Sequence, residues 1–409
     1  MKECITMIER EIQNNIKKIN DTFRVLVVTG PRQVGKSTIL KKMMPKNMKM
    51  VSLDDKSLRD EARLNPRLFL QTFGKPLFID EIQYAPELFP YIKMEVDNDD
   101  SCGQYWLSGS QTFELMKNVS ESLAGRVGIV KMNSLTYKEI NNRVNNIVFN
   151  PDEIKESDNI NVNDLFKIIY NGGMPELISV KNMDRNIFFQ SYVNTYIDRD
   201  VRNLINISNI ETFKKFMRDM AIRNGKLLNY SEISNDVGMS SNTIKEWVNV
   251  LVSSRIIYLL KPYHNNKIER LTHMSKIIFM DSGLACFLAG YTSARELQLS
   301  NESGNFLETY VISEIIKSYD NNAIPLDITH FRNKETEEID LIISKNSKIY
   351  PLEIKKTANP SRSMIKNFRY LEKNNIKMGK GGLICLYDKL IPLDDYNYYI
   401  PISSVIDSK

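Results

Sequence analysis

At 409 residues, with 42% hydrophobic and 26% charged residues, the chain has the balance of a folded protein and is too long for one ordinary core, so two to four domains are expected. Its net charge of +5 permits contact with nucleic acid without demanding it, because nucleic-acid-binding chains concentrate basic charge more strongly. No run approaches the ~18 apolar residues of a membrane helix, and the N-terminus lacks signal-peptide character. The four cysteines (Cys4, Cys102, Cys286, Cys385) have no paired spacing. No membrane partner, disulfide framework or zinc site is therefore expected, and the expected location is cytoplasmic.

The first segment, MKECITMIEREIQNNIKKIN, repeats apolar residues every three to four positions between charges of both signs and predicts an amphipathic helix. Residues 24–29, RVLVVT, form a β-branched run that leads into GPRQVGKST (30–38) and then ILKKMM, a good helix former. Strand, glycine loop and helix in that order match G-x-x-x-x-G-K-[ST] through Gly30, Gly35, Lys36 and Ser37. The backbone of Gly30, Pro31, Arg32, Gln33, Val34 and Gly35 is expected to curl around phosphate oxygens, with the helix start at Lys36, Ser37 and Thr38 adding its positive dipole end. Lys36 would reach the β- and γ-phosphates, and the Ser37 hydroxyl would ligate Mg²⁺.

A triphosphate site needs a second strand that ends in carboxylates. PLFIDE (76–81) supplies it: Asp80 would hold Mg²⁺ through water, and Glu81 would orient and deprotonate the attacking water. With MKMVSLDD (48–55), QYWLSGS (104–110) and RVGIVKM (126–132), five short apolar strands separated by helices predict a parallel sheet covered on both faces. A strand interposed between glycine loop and acidic strand, with a polar residue ending the next strand, resembles the AAA+ ATPases, and that resemblance implies Ser110 or Gln111 beside the γ-phosphate, unless it is a simple polar strand end.

These stretches, with IDEIQYAPELFPYIKMEVD (79–97), LSGSQ (107–111) and SESLAGRVG (120–128), resemble a prokaryotic branch of the AAA+ ATPases. NGGMPE (171–176), YIDRDV (196–201) and FMDSGLACFLAG (279–290) extend the resemblance over nearly the whole chain, including a C-terminal domain of uncertain function. The resemblance implies ATP and Mg²⁺ as ligands and arginines near the γ-phosphate, often from a neighbouring subunit, which leaves a homo-oligomer open. Arg126 and Arg199 are the candidates, each equally able to serve as a structural ion pair.

From Tyr137 to about Asn203 the pattern is largely helical and fits a lid, with Gly172–Gly173 as a hinge or a helix C-cap. Two helices follow: SEISNDV, opened by Ser231 as N-cap, and SSNTIKEWVNVLVSS, with Gly238 turning the chain between them. Two strands, IIYLLKPY (256–263) and SKIIFMD (275–281), complete the order of a winged helix-turn-helix. A DNA-binding reading puts Ser241, Asn242, Thr243 and Lys245 in a major groove. It puts Lys261, Lys267, Arg270 and Lys276, with His264 and His273, on a wing near phosphates. Domain packing is the alternative.

After Ser300 the order becomes α-β-β-β-α-β, with Asp340 thirteen residues before Glu353-Ile354-Lys355. This resembles the PD-(D/E)xK nucleases of the restriction-endonuclease-like fold. Strand alternation puts Glu353 and Lys355 on one face, a hairpin brings Asp340 alongside, and Glu308 on the preceding helix completes the set. Asp340, Glu353 and Glu308 would bind Mg²⁺, and Lys355 would position the attacking water or neutralise the developing phosphorane charge. An intact nuclease and a degenerate module retained for binding fit the same spacing.

The expected architecture is α/β in four parts: an AAA+ parallel-sheet core (1–136), a helical lid (137–205), a winged helix (206–299) and a nuclease-like domain (300–409). The leading functional expectation is an ATPase whose nucleotide state controls contact with DNA or a protein partner. An ATP-gated Mg²⁺-dependent nuclease and a non-hydrolysing nucleotide switch are its rivals.

Overall fold

The computed structural model describes residues 8–109, 116, 118–119, 121–197, 201, 210–263, 274–332, 337–373 and 377–409. After a short helix, α1 (Gln13–Asn20), come β1 (Val25–Thr29), α2 (Lys36–Met43) and β2 (Lys49–Ser52). Then follow α3 (Lys56–Leu64), α4 (Pro66–Phe73), β3 (Leu77–Asp80), α5 (Leu88–Asp97), β4 (Tyr105–Gly109) and β5 (Val127–Lys131). The five strands pair in parallel in the order β2-β3-β4-β1-β5.

Strand periodicity builds the two layers around this sheet. Val25, Val27, Ile79 and Leu107 pack in one core with Ala62, Phe69 and Ile92 of α3, α4 and α5. Leu26, Val28, Phe78 and Trp106 turn to the other face, against Ile16 of α1 and Ile39 and Leu40 of α2. Apolar on both sides, these strands read as continuous hydrophobic runs, as buried parallel strands do. Because β1 lies between β4 and β5 while β2 lies beyond β3, the chain leaving β1 opens a crevice at the carboxyl ends of the strands.

The middle of the chain is helical: α6 (Tyr137–Ile140), α7 (Val162–Asn171), α8 (Pro175–Ser179), α9 (Arg185–Tyr196) and α10 (Ile210–Ile222). A capping box closes the start of α6, where Thr136 and Glu139 satisfy each other's backbone N–H groups. Of the two readings of the glycine pair the helix C-cap is formed, with Gly172 closing α7 in a tightly packed junction. Gly172 has φ +73°, and a Cβ on it would lie 2.5 Å from Asp281 Oδ1, while one on Gly173 would lie 2.4 Å from the Leu135 carbonyl. Asp281 accepts from the backbone N–H groups of Gly173 (3.0 Å) and Leu284 (2.9 Å), so it joins two of the sequence signatures at one point.

Next come α11 (Tyr230–Val237), α12 (Ser241–Ser253), β6 (Ile257–Pro262), β7 (Lys276–Phe279), α13 (Ser282–Leu288), α14 (Ala294–Leu299) and α15 (Ser303–Asn321). The N-cap of α11 is Asn229, whose side chain accepts from Ser231 and Glu232, and not Ser231 as expected. Ser240 caps α12. The last third holds β8 (Asp327–Arg332), β9 (Glu338–Lys345), β10 (Lys348–Ile354), α16 (Arg369–Lys373), β11 (Gly381–Cys385), β12 (Ile391–Pro392), β13 (Asn397–Pro401) and α17 (Ile402–Ile406).

One eight-stranded sheet, ordered β12-β13-β11-β10-β9-β8-β6-β7, unites these strands. The β6–β7 hairpin joins it through parallel pairing of Lys261 with Thr329 and Pro262 with His330. Strand pairing therefore crosses the boundary expected near residue 300. Among the described residues, no helix is long and apolar enough to cross a membrane.

Candidate functional site

The glycine loop leaves β1 at the crevice. Gly30 has φ +155°, and a Cβ there would sit 2.0 Å from the Met132 carbonyl oxygen, so only glycine lets the loop pass the end of β5. Gly35 has φ +91° and occupies the left-handed N-cap position of α2. Lys36 is buried, and its Nζ donates to the carbonyls of Gly30 (2.9 Å) and Pro31 (2.7 Å), across the mouth of the loop. Val34 is buried, while Gln33 and Thr38 are exposed and Arg32 is half-buried. Pro31 and Val34 face a small cleft whose far wall includes Asn133, Tyr192, Arg255 and Asp281.

The acidic strand end meets this loop. The Ser37 hydroxyl donates to Asp80 Oδ1 at 2.9 Å, and the Ser108 hydroxyl donates to the same oxygen. Asp80 is buried at the end of β3, so two neutral donors hold its carboxylate in place. Glu81 follows with φ +57°, a left-handed conformation that a glutamate seldom adopts, and its carboxylate accepts from Gln83.

Two residues of this site escaped the sequence reading. Ser108, on β4, is the polar residue that touches Asp80, whereas Ser110 and Gln111 lie outside the described residues. The pairing of β3 with β4 sets Ser108 beside Asp80. The other is Arg10, which is buried and donates to the carbonyls of Val34 (2.8 Å) and Asn133 (2.8 Å) and to Glu139 (3.0 Å). It pins the loop to the segment that follows β5, and nothing in an amphipathic helical pattern marks it out. Beside Gly35 and Thr38 a cavity of about 540 Å³ opens between Ile8, Ile39, Pro175 and Val180.

Arg126 is not brought to this cluster. It precedes β5 at the amino edge of the sheet, where its guanidinium pairs with Asp97 and donates to the Ala124 carbonyl. The loop lies past the opposite ends of the same strands, about 16 Å away at 3.3 Å per residue. Within one chain the expected contact of Arg126 with the γ-phosphate is therefore not formed. Arg199 lies outside the described residues.

The second expected cluster does assemble. Asp340 on β9 lies next to Glu353 on β10, Lys355 Nζ stands 3.1 Å from Asp340 Oδ2 and 2.6 Å from Glu353 Oε1, and the Ile354 N–H donates to Asp340 Oδ2 at 2.9 Å. Glu308 on α15 joins them through a residue not expected here. Lys276, read as an exposed wing residue, is buried, with its Nζ 2.6 Å from Glu308 Oε1, 2.6 Å from Glu338 Oε1 and 3.7 Å from Asp340 Oδ1. It is not available to a DNA phosphate.

Burial alone would lower the Lys276 ammonium, but Glu308, Asp340 and Glu338 outweigh it and hold the pKa above the ordinary lysine value. Burial, reinforced by the charge of Asp340, pushes the carboxyls of Glu308 and Glu353 above the ordinary glutamate value. A resident Mg²⁺ does not fit this donor set, because the Lys276 ammonium already stands among Glu308, Glu338 and Asp340 while Lys355 pairs with Glu353. Of the other wing residues, Lys261 is exposed, and His264, Lys267, Arg270 and His273 lie outside the described residues.

Comparison with known proteins agrees with the first site. Residues 22–141 match the family described as AAA domain, and residues 162–295 and 303–405 each match a domain of unknown function (DUF8612 and DUF4143). The chain is 23% identical over 405 residues to an uncharacterized protein of Mycobacterium tuberculosis, covering 98% of this chain and 86% of the relative. An uncharacterized protein of Mycobacterium bovis matches to the same extent. Among solved structures, the Thermotoga maritima RuvB Holliday junction branch migration motor is 15% identical over 65% of this chain and 95% of its own, with a TM-score of 0.31. The Saccharomyces cerevisiae Hsp104–ADP complex is 13% identical over 77% of this chain and 45% of its own, with a TM-score of 0.29. With its glycine loop, Lys36 and Asp80 gathered at the carboxyl ends of a parallel sheet, the chain carries an AAA-type P-loop domain over residues 22–141.

Proposed function

We propose that this chain hydrolyses ATP at Lys36, Ser37, Asp80 and Glu81, and that its nucleotide state controls contact between its C-terminal half and DNA or a protein partner. The observation that carries the reading is the meeting of the Ser37 hydroxyl with Asp80 at 2.9 Å beside the Lys36 ammonium. Ser37 and Asp80 are hard oxygen donors that fit Mg²⁺, which when bound neutralises charge on the β- and γ-phosphates.

The backbone of residues 30–38 cradles the phosphates, and Lys36 exchanges its two carbonyl acceptors for phosphate oxygens. Glu81, oriented by Gln83, takes a proton from a water molecule. The water oxygen then bonds to the γ-phosphorus as the bond to the β,γ-bridging oxygen breaks, and ADP leaves with that electron pair.

A route to the C-terminal half supports the control function. Arg10 ties the loop to Asn133, and Asn133 meets Arg255 (3.0 Å) and Asp320 (3.1 Å). Further along the same segment the Tyr137 N–H donates to Glu314 at 2.6 Å, and Lys317 donates to the Leu135 carbonyl at 3.0 Å. Glu314, Lys317 and Asp320 all lie on α15, whose other half carries Glu308. One rigid helix, about 28 Å long at 1.5 Å per residue, thus spans from the loop's support to the second cluster. At the exposed face of α12, Asn242 and Lys245 offer polar contacts for a partner.

Phosphate release with and without duplex or single-stranded DNA tests the reading. Glu81→Gln is expected to bind ATP and to lower turnover by about 10²- to 10⁴-fold. Unchanged release from that variant would remove Glu81 from the mechanism.

A further inference from the structure

The C-terminal carboxylates have the composition of a metal site, but each of them already lies beside a lysine ammonium group. Lys276 is 2% exposed, and its ammonium lies 2.6 Å from Glu308 and 2.6 Å from Glu338, with Asp340 Oδ1 at 3.7 Å. The other Asp340 oxygen receives the Ile354 N–H at 2.9 Å and Lys355 at 3.1 Å. Both oxygens of the central aspartate therefore face positive or N–H groups. Magnesium needs several oxygens converging at about 2.0–2.1 Å with nothing cationic among them. A second cation beside a buried ammonium also meets direct repulsion in a medium of low dielectric.

The lysine is held at its backbone as well as at its ammonium group. Its backbone pairs with Leu260 in the β6–β7 hairpin and bridges to Leu227 on the other side. Withdrawing it would leave Glu308 and Asp340, both buried, facing each other. Glu338 is one-third exposed, so water meets what remains of its charge.

We propose that Lys276 is the resident cation of this cluster and stands in place of a metal ion. Its ammonium ties the β6–β7 hairpin to α15 and to β9, which makes the C-terminal half a charge-locked binding module without metal-dependent nuclease activity. Lys276 fills this place whether or not ATP is hydrolysed at the first site.

The test is Mn²⁺ binding by equilibrium dialysis with electron paramagnetic resonance, on the full chain carrying Asp80→Asn so that the first site does not contribute. With Lys276 intact, no Mn²⁺ binding with a Kd below about 1 mM is expected. Lys276→Ala should then gain Mn²⁺ affinity by at least about tenfold and lose it again when Asp340→Asn is added. Asp340-dependent Mn²⁺ binding with Lys276 intact would overturn the proposal, whether or not the alanine variant folds. So would a folded Lys276→Ala protein, judged by circular dichroism, that binds no more Mn²⁺ than its parent. In the same preparations supercoiled plasmid with Mg²⁺ or Mn²⁺ should stay uncut by the wild-type chain, and nicking that disappears with Asp340→Asn would equally overturn it.

Discussion

Two acidic clusters are built on strands of this molecule, and their surroundings are opposite in kind. Around Asp80 the donors are the neutral hydroxyls of Ser37 and Ser108, while the nearby lysine rests on backbone carbonyls. Around Asp340 the donors are the Lys355 ammonium and a backbone N–H, with the Lys276 ammonium 3.7 Å away as a second positive charge. A carboxylate held by hydroxyls keeps its charge for an incoming cation, whereas one already paired with lysines has little left to offer. The same residue types at plausible spacing thus lead to a ligand site in one place and a closed ionic junction in the other.

Exchanging the lysines breaks the comparison most strongly. Lys36→Ala should weaken ATP binding by about 2–5 kcal/mol, on the order of 30- to 4,000-fold, because it removes a buried charge from the phosphate site. Lys355→Ala should leave ATP affinity within about twofold, since its partners Asp340 and Glu353 have no part in the loop. Calorimetric titration with a non-hydrolysable ATP analogue separates the two, and equal losses would contradict the assignment.

A smaller effect is expected at Ser108. Ser108→Ala removes one of two hydroxyl donors to Asp80, a loss of about 1.5–3 kcal/mol in transition-state stabilisation if the carboxylate drifts. Steady-state phosphate release should fall about 10- to 150-fold, and wild-type turnover would show that Ser37 positions Asp80 alone.

The second cluster also extends its charge to a neighbour. Burial and the Lys276 charge lower His330 to about 4. The folded chain therefore binds fewer protons at this residue than the unfolded chain, whose histidine titrates near 6.5. The contribution is present above about pH 6.5 and is lost as pH falls from there towards 4. Between pH 7 and pH 5, His330→Gln should lose on the order of 2 kcal/mol less stability than the wild type in urea titrations. Parallel pH profiles would contradict the buried neutral imidazole.

The smallest effect belongs to Arg126. Paired with Asp97 at the far edge of the sheet, it should tolerate alanine with turnover within about twofold. A loss of 10³-fold or more would mean that it acts on the nucleotide of another copy of the chain.

The parts legible in the sequence are those governed by local chain geometry. Residues 24–29 read as a strand because β-branched residues run unbroken into a glycine turn, and that strand is β1. Asp340, Glu353 and Lys355 were placed together by the two-residue period and by a hairpin whose register pairs Leu341 with Leu352. Other features depended on encounters between distant segments. Ser108 meets Asp80 only because β3 lies beside β4, and the glycine pair at 172–173 reads as a hinge or a helix C-cap until Asp281 packs against it.

By itself, then, the sequence determined the glycine loop, its acidic partner strand and the candidates for a second carboxylate set, because spacing along a strand or helix specifies which side chains share a face. Only the tertiary structure decided what those carboxylates hold. Lys276, 32 residues from Glu308 and placed by its pattern on an exposed wing, enters the cluster because β6 pairs with β8 and carries the hairpin into the larger sheet. Burial and counter-charge belong to neighbours in space, and those neighbours separate an open site from a closed one.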